Sequence, residues 1–277
     1  MQLGAFLSAA GGYTKALDKA TAIGANCLHL FSSPPRNWSH PNPTKDEVER
    51  FINSPLRKDI NPIYFHATYL INLADSKEIG ERSKKLLIAE LIMAGTLGIK
   101  GSVIHLGSFK EQESPEPKYQ ILYENIRAVL DKTPPQTLFI IEGAGNRKIG
   151  RTLEELGKII KDLNNPRVRV CLDTCHLHAA SFDLTTGAKL DKFLGDFDKI
   201  VGLNNLELIH ANDSKDPLGS LRDRHENIGQ GTVGMSVFKG LLNHPVTRKL
   251  PFIIETPGFD NKGPDKQNLD IMKSLAR

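Results

Sequence analysis

Five histidines and four carboxylates in this chain stand where a metal cluster would need them. Six apolar runs each end, in order along the sequence, on a histidine or an acid: Ile-Tyr-Phe-His66, Val-Ile-His105, Phe-Ile-Ile-Glu142, Val-Cys-Leu-Asp173, Glu-Leu-Ile-His210 and Phe-Ile-Ile-Glu255. A buried strand has no packing reason to finish on a ligand-type residue, so the succession argues for one shared purpose. Two short motifs extend the set. Asp173-Thr174-Cys175-His176 adds a histidine just past one run. Asp223-Arg224-His225 holds an acid and a histidine at i, i+2, on one side of an extended segment.

Nine ligands exceed what one ion uses, because a catalytic zinc takes about three protein ligands and keeps a position for water. Nine groups, one of them bridging, suit two or three ions. Mixed imidazole and carboxylate donors favour zinc, with manganese or iron as substitutes, and no thiolate is needed. Ions a few ångströms apart are the usual device for hydrolysing phosphate esters: one activates water while others neutralise the phosphate and the leaving oxygen. Taken singly, a His or Asp at a strand end is more often a hydrogen-bonded loop anchor than a ligand. Nine such anchors on one face would be nine coincidences. The remaining histidines carry plainer readings: His29 as a core histidine or a support for the ligands, His40 and His244 as loop residues, His178 as an orienting group.

The elements that must position these groups alternate from end to end. Leu3-Gly4-Ala5-Phe6-Leu7 and Cys27-Leu28-His29-Leu30-Phe31 precede the six runs, which makes eight strand candidates. Between strands lie amphipathic stretches with apolar residues at helical spacing, such as Ile79, Leu86, Leu87, Leu91, Ala94 and Leu97. Capping-box pairs open several of them: Thr44 with Glu47, Asp75 with Glu78, and Thr152 with Glu155. Gly24, Gly98 and Gly202 sit where helices should end. Alternating strands and helices make a parallel sheet, and eight repeats make an α/β TIM (β/α)8 barrel, with the active site at the C-terminal ends of the strands. A doubly wound open sheet is the competing architecture, but Gly11-Gly12 lacks the further spaced glycine of a dinucleotide fingerprint. At 277 residues the chain matches the ~250 that a barrel needs, and no linker interrupts it, so residues 1–277 read as a single domain. The longest loops, residues 32–43 and 212–231, leave the barrel on the face that carries the strand endings.

A formal net charge of +4 is only mildly basic and does not by itself argue for nucleic acid. Cys27, Cys171 and Cys175 include no CxxC pair; they read as buried reduced thiols in a reducing compartment. The start, Met1-Gln2-Leu3-Gly4, lacks the features of a signal peptide, and no apolar run approaches the ~18 residues of a membrane span. The expectation is a cytoplasmic protein with no membrane association.

The segments Cys171-Leu-Asp-Thr-Cys-His-Leu-His178, Asn212-Asp-Ser-Lys215, Gly219-Ser220, Asp223-Arg-His225, His66-Ala-Thr-Tyr69-Leu-Ile-Asn72-Leu and Ile228-Gly-Gln-Gly231 closely resemble the endonuclease IV family of apurinic/apyrimidinic endonucleases. The similarity runs from the first strand to the last. It implies a trinuclear zinc site: His66 and His105 on one ion, Glu142 bridging to a second that Asp173, His210 and Glu255 complete, and His176, Asp223 and His225 on the third. The implied reaction cuts duplex DNA on the 5′ side of an abasic site, leaving a 3′-hydroxyl and a 5′-deoxyribose phosphate. Catalysis would centre on Glu142 and Glu255, where activated water attacks phosphorus in line while the third ion stabilises the departing 3′ oxygen. The resemblance also implies that Arg36, Tyr69 and Leu70 insert into the duplex at the lesion, as an enzyme acting on one nucleotide of a duplex requires. Lys215 and Arg224, with Arg222, Arg147, Lys148 and Arg151, lie in loops of the same face and could track phosphates. The partner is then double-stranded DNA with abasic sites, bound by a monomer that needs no obligate protein partner. One departure stands out: Glu142-Gly143-Ala144-Gly145-Asn146 is shorter than the family's usual turn after the bridging glutamate, and DNA contacts are not carried over to residues 143–148.

Two other functions compete. A sugar isomerase or epimerase on the same barrel also uses His, Glu and Asp at strand ends, but needs only one or two ions and has no use for Asp223-Arg-His225 or the Arg36 and Tyr69 loops. A catalytically silent DNA-binding barrel would gain nothing from nine buried ligand-type residues.

Overall fold

The computed structural model describes residues 1–109 and 115–276. Its strands are β1 (Gln2–Phe6), β2 (Cys27–Phe31), β3 (Ile63–His66), β4 (Gly101–Ile104), β5 (Leu138–Glu142), β6 (Val168–Asp173), β7 (Leu206–His210), β8 (Asp213–Ser214), β9 (His225–Glu226) and β10 (Pro251–Ile254). Eight of them close into a barrel in the order β1-β10-β7-β6-β5-β4-β3-β2, every pair parallel. The expected TIM barrel is what forms, and closure removes the open-sheet alternative. The helices are α1 (Tyr13–Ile23), α2 (Lys45–Ile52), α3 (Glu78–Leu97), α4 (Pro115–Asp131), α5 (Leu153–Leu163), α6 (Thr174–Ala179), α7 (Gly187–Ile200), α8 (Met235–Asn243) and α9 (Lys266–Leu275). Among the described residues no helix is long and apolar enough to cross a membrane.

Strand periodicity explains why the ligand-type residues meet. Cys27, Tyr64, Val103, Ile140, Cys171, Leu208 and Ile253 form an apolar cluster inside the barrel. Their outward neighbours, Leu28, Phe65, Ile104, Ile141, Leu172, Ile209 and Ile254, join the larger core beneath the helices. Two residues further along each inner face stand His29, His66, His105, Glu142, Asp173, His210 and Glu255. One step of the pleat, about 6.6 Å, therefore turns a dry plug into a polar floor.

One strand reaches that floor by an irregularity. The β6–β7 register shifts where Cys171 pairs with Leu208 after Val170 pairs with Leu206, leaving Glu207 as an extra residue. Leu206 lies in the outer core and Leu208 in the inner cluster, so strict alternation is broken between them. The bulge restores the inward parity of Leu208 and His210. Glu207 turns into the barrel's lower end, where it accepts a hydrogen bond from the Tyr64 hydroxyl at 2.8 Å and pairs with Lys100 at 2.6 Å.

Local signals hold in part. Thr44 and Thr152 cap α2 and α5 by accepting from the Glu47 and Glu155 amides, both at 3.2 Å. Gly24 and Gly98 end α1 and α3 in the left-handed region, and Gly202 lies one residue past the Val201 cap of α7. The Asp75 cap is displaced: α3 begins at Glu78 behind Lys77, while Asp75 accepts from the Lys77 and Gly80 amides across an intervening turn. The segment 212–231, expected as loop, contains the antiparallel β8–β9 pair, with Asp213 opposite Glu226 and Ser214 opposite His225. Fully buried Asp213 accepts from the amides of Ser214, Gly229, Gly231 and Val233 and so draws the segment closed. Cys27, Cys171 and Cys175 are buried free thiols.

Candidate metal centre

All nine sequence-predicted ligands converge at the C-terminal mouth of the barrel. Glu142, at the end of β5, is the hub. Its Oε2 lies 3.3 Å from His66 Nε2 and 3.2 Å from His105 Nε2, while its Oε1 lies 3.1 Å from His210 Nδ1. His210 Nδ1 also faces Glu255 Oε1 at 3.6 Å and Asp173 Oδ2 at 3.9 Å. On the far side, Asp223 Oδ1 stands 3.1 Å from His176 Nε2 and 3.4 Å from His225 Nε2, and the latter is 3.7 Å from Asp173. The hairpin formed by β8 and β9 delivers His225 to this group.

These spacings suit metal ligands. Two donors on a tetrahedral zinc, each ~2.05 Å from the ion, are separated by about 3.3 Å. His105 Nδ1, His176 Nε2, His210 Nε2, His225 Nε2 and Glu255 Oε1 are buried atoms with no hydrogen-bond partner among the described residues. His176 and His225 therefore hold unsatisfied Nε2 atoms within about 3.5 Å of a carboxylate. Three sets, His66-His105-Glu142, His176-Asp223-His225 and Glu142-Asp173-His176, each bring their ligand atoms within 4.8 Å of one another.

Backbone carbonyls fix which nitrogen is offered. His66 Nδ1 donates to the Ala67 carbonyl at 2.7 Å and His176 Nδ1 to the Gly143 carbonyl at 2.9 Å, leaving both Nε2 atoms as lone-pair donors. His225 Nδ1 faces the Glu255 carbonyl at 3.3 Å. The turn after Glu142 has its own packing role: a Cβ on Gly145 would lie 2.6 Å from the His176 Cα, so only glycine lets that turn press against α6. Asn212, named in the sequence only as part of a motif, donates to Asp173 Oδ2 and accepts from the Glu255 amide, both at 2.7 Å. It lies two residues past His210, so strand parity was the available signal.

Without cations the centre is electrostatically unbalanced. Burial opposes ionisation of Glu142, but His105 and His210 hold its carboxyl well below the usual range. Burial opposes Glu255 too, and His210 holds it down at about 2. Burial would discharge His225, yet Asp173 and Asp223 hold it up at about 9. His176 is raised in the same way by Asp173 and Asp223, whereas burial takes His105 down to about 3. Such a set calls for positive charge, and protons supply it when metal does not.

The rim carries the residues expected to touch substrate. Tyr69 is 56% exposed and edges onto Phe31 at 5.6 Å and His66 at 5.8 Å, so it is an aromatic surface beside the centre. Leu70 is half-buried and Arg36 exposed. Thr68 donates to the Pro35 carbonyl, which fastens the Arg36 turn to the Tyr69 turn. Lys215 approaches Glu226 only at 3.9 Å. Arg224 is committed differently: Asp216 grips its Nε at 2.7 Å and its Nη2 at 2.5 Å. A cleft of about 860 Å3 opens beside the centre between segment 32–43 and residues 262–264, with Phe6, Tyr13 and Phe31 in its wall.

Residues 17–275 match the family described as xylose isomerase-like TIM barrel. A probable endonuclease 4 of Halothermothrix orenii is 36% identical over 99% of both chains. The crystal structure of endonuclease IV from Thermus thermophilus superposes with a TM-score of 0.86 at 31% identity, covering 99% of this chain and 98% of that one. A D-tagatose 3-epimerase-like protein also superposes, at 0.72, but at 17% identity over 99% and 97% of the two chains that likeness reaches the fold alone. Full-length identity of this order, joined to the shared barrel, makes the chain a member of the endonuclease IV family.

Proposed function

We propose that this nuclease cleaves duplex DNA on the 5′ side of abasic sites, leaving a 3′-hydroxyl and a 5′-deoxyribose phosphate, at a centre built for three zinc ions, with manganese or iron as substitutes. The observation that carries this reading is Glu142, whose two oxygens face different histidines: His66 and His105 on one side, His210 on the other. A carboxylate so placed would help to hold two ions. His66, His105 and Glu142 would hold the first, Glu142, Asp173, His210 and Glu255 the second, and His176, Asp223 and His225 the third. Bound there, the ions supply Lewis acidity that activates water and neutralises phosphate charge.

The chain's own residues do the rest. Glu142 and Glu255 stay ionised and would orient the attacking water beside the phosphate. Asn212 keeps Asp173 and the Glu255 backbone in register. Asp223 and His225 lie on the more exposed side of the group and would face the departing 3′ oxygen. Tyr69, Leu70 and Arg36 present a wedge to the base stack, and Lys215 lies within reach of a phosphate. The protein would act as a monomer and as a single domain.

The test is one assay on an abasic-site duplex, before and after prolonged chelation, with bound metal counted and product ends mapped. Incision 5′ to the lesion, lost on chelation and accompanied by about three ions per chain, is the expected result. Sugar isomerisation without incision would overturn the reading.

A further inference from the structure

His29 lies outside the nine residues assigned above, yet it sits on the same polar floor. It is fully buried on the inner face of β2, two residues beyond Cys27. Its Nε2 is 2.9 Å from the Phe65 carbonyl. A carbonyl can only accept, so Nε2 carries the hydrogen and Nδ1 is the lone-pair nitrogen. That Nδ1 points at Glu255 Oε1 from 3.4 Å. Both are buried atoms without a hydrogen-bond partner among the described residues.

Two lone-pair atoms facing each other at 3.4 Å repel unless something positive lies between them. A proton would serve only through a hydrogen bond, and neither atom makes one across this contact. The spacing is instead one that two ligands of a single ion adopt, and with Glu142 and Asp173 the ion would have five protein ligands. A third donor completes the case: His210 Nδ1 is 3.6 Å from the same Glu255 oxygen, and the ligand atoms of His29, His210 and Glu255 all lie within 4.8 Å of one another. The His29 and His210 rings stand 5.0 Å apart at 46°.

We infer that His29 is a tenth metal ligand, giving its Nδ1 to the ion that His210 and Glu255 hold. This role rests on the metal centre proposed above. It adds a neutral nitrogen donor to the ion otherwise richest in carboxylates, which favours a borderline-soft cation such as zinc over magnesium.

Cobalt titration of the metal-free protein, followed by visible absorption, tests this apart from activity. Wild type should bind cobalt at several sites. His29→Ala and His29→Gln should each lose affinity for one ion by about 100-fold or more, beyond the roughly 10- to 100-fold typical of a merely supporting residue. Each should also change that ion's absorption, since a nitrogen ligand is gone. Glutamine can still hydrogen-bond Glu255, so recovery of affinity in His29→Gln alone would overturn the ligand role. So would unchanged affinity and absorption in both variants. Melting of the metal-free variants at the wild-type temperature keeps a folding defect from imitating the effect. A wild-type chain that binds no cobalt overturns the centre itself and the tenth ligand with it.

Discussion

Asn212 and Asp173 are joined side chain to side chain, amide nitrogen to carboxylate oxygen at 2.7 Å, with both residues fully buried. The same amide's oxygen takes the Glu255 backbone N–H. One side chain thus sets the aim of a proposed ligand on β6 and the start of the turn that carries another after β10. Asn212→Ala should weaken metal binding about 10- to 100-fold with the fold retained. Chelator competition on the purified variant checks this; wild-type affinity would reduce Asn212 to packing.

Glu142 offers a sharper case because both its oxygens are engaged. Glu142→Gln keeps the shape, removes the charge and turns one ligand atom into an amide nitrogen that cannot bind metal. Incision of an abasic duplex should fall by at least roughly 10²-fold, while circular dichroism stays unchanged. Activity near wild type would rule out bridging.

Much of the arrangement at the barrel mouth is legible in the sequence. Glu142 and Asp173 announce themselves because each ends a strand whose inner face is apolar two residues earlier, and period two does not depend on tertiary detail. His210 was legible for a partly wrong reason: strict alternation from Leu206 would turn it outward, and only the bulge at Glu207 brings it in. A bulge is settled by the neighbouring strand's pairing, which the run Leu-Glu-Leu-Ile-His does not encode. Parity also places His29 and Asn212 on the floor, but it cannot say whether a donor atom finds a partner. The Arg224–Asp216 pair joins residues eight apart across the connection between β8 and β9, a path that strand and helix periodicity does not describe. The Asp75 cap failed for a local reason, because the turn through residue 77 delays the helix.

Tyr69 separates recognition from metal binding. Its ring is mostly exposed but leans on His66, so truncation tests two roles at once. Tyr69→Ala should weaken binding to an abasic duplex by about 1–3 kcal/mol, the range for one aromatic–base contact, with metal content intact. Equal loss of metal would make the ring a support for His66 instead.

The basic rim yields a salt-dependence test. Each phosphate contact adds about 0.9 to the slope of log affinity against log salt. Lys215, only loosely placed near Glu226, is free to make one, and Lys215→Ala should reduce the slope by that amount. Arg224 is already neutralised by Asp216, so Arg224→Ala should change the slope less. Affinities measured across a salt series decide between them; equal slopes for both variants would mean the Asp216 pair opens on DNA.

Protonation of the metal-free centre gives the last expectation. Burial alone would discharge His225, but Asp173 and Asp223 hold it up at about 9, and His176 is raised by the same two carboxylates. At neutral pH a proton therefore occupies a nitrogen that a metal needs, and it must leave on binding. Apparent metal affinity should rise with pH from about 6.5 to about 9. Stability of the metal-free fold runs the other way. A histidine raised above its unfolded value contributes fully below about 6.5, and that contribution is lost as pH climbs through about 9. The metal-free protein weakens over the interval in which its affinity for metal grows, so the gap between melting temperatures with and without zinc should widen across it. Calorimetry in two buffers of different protonation enthalpy should register the released protons directly. A gap that narrows with rising pH would mean that the carboxylates do not hold those protons.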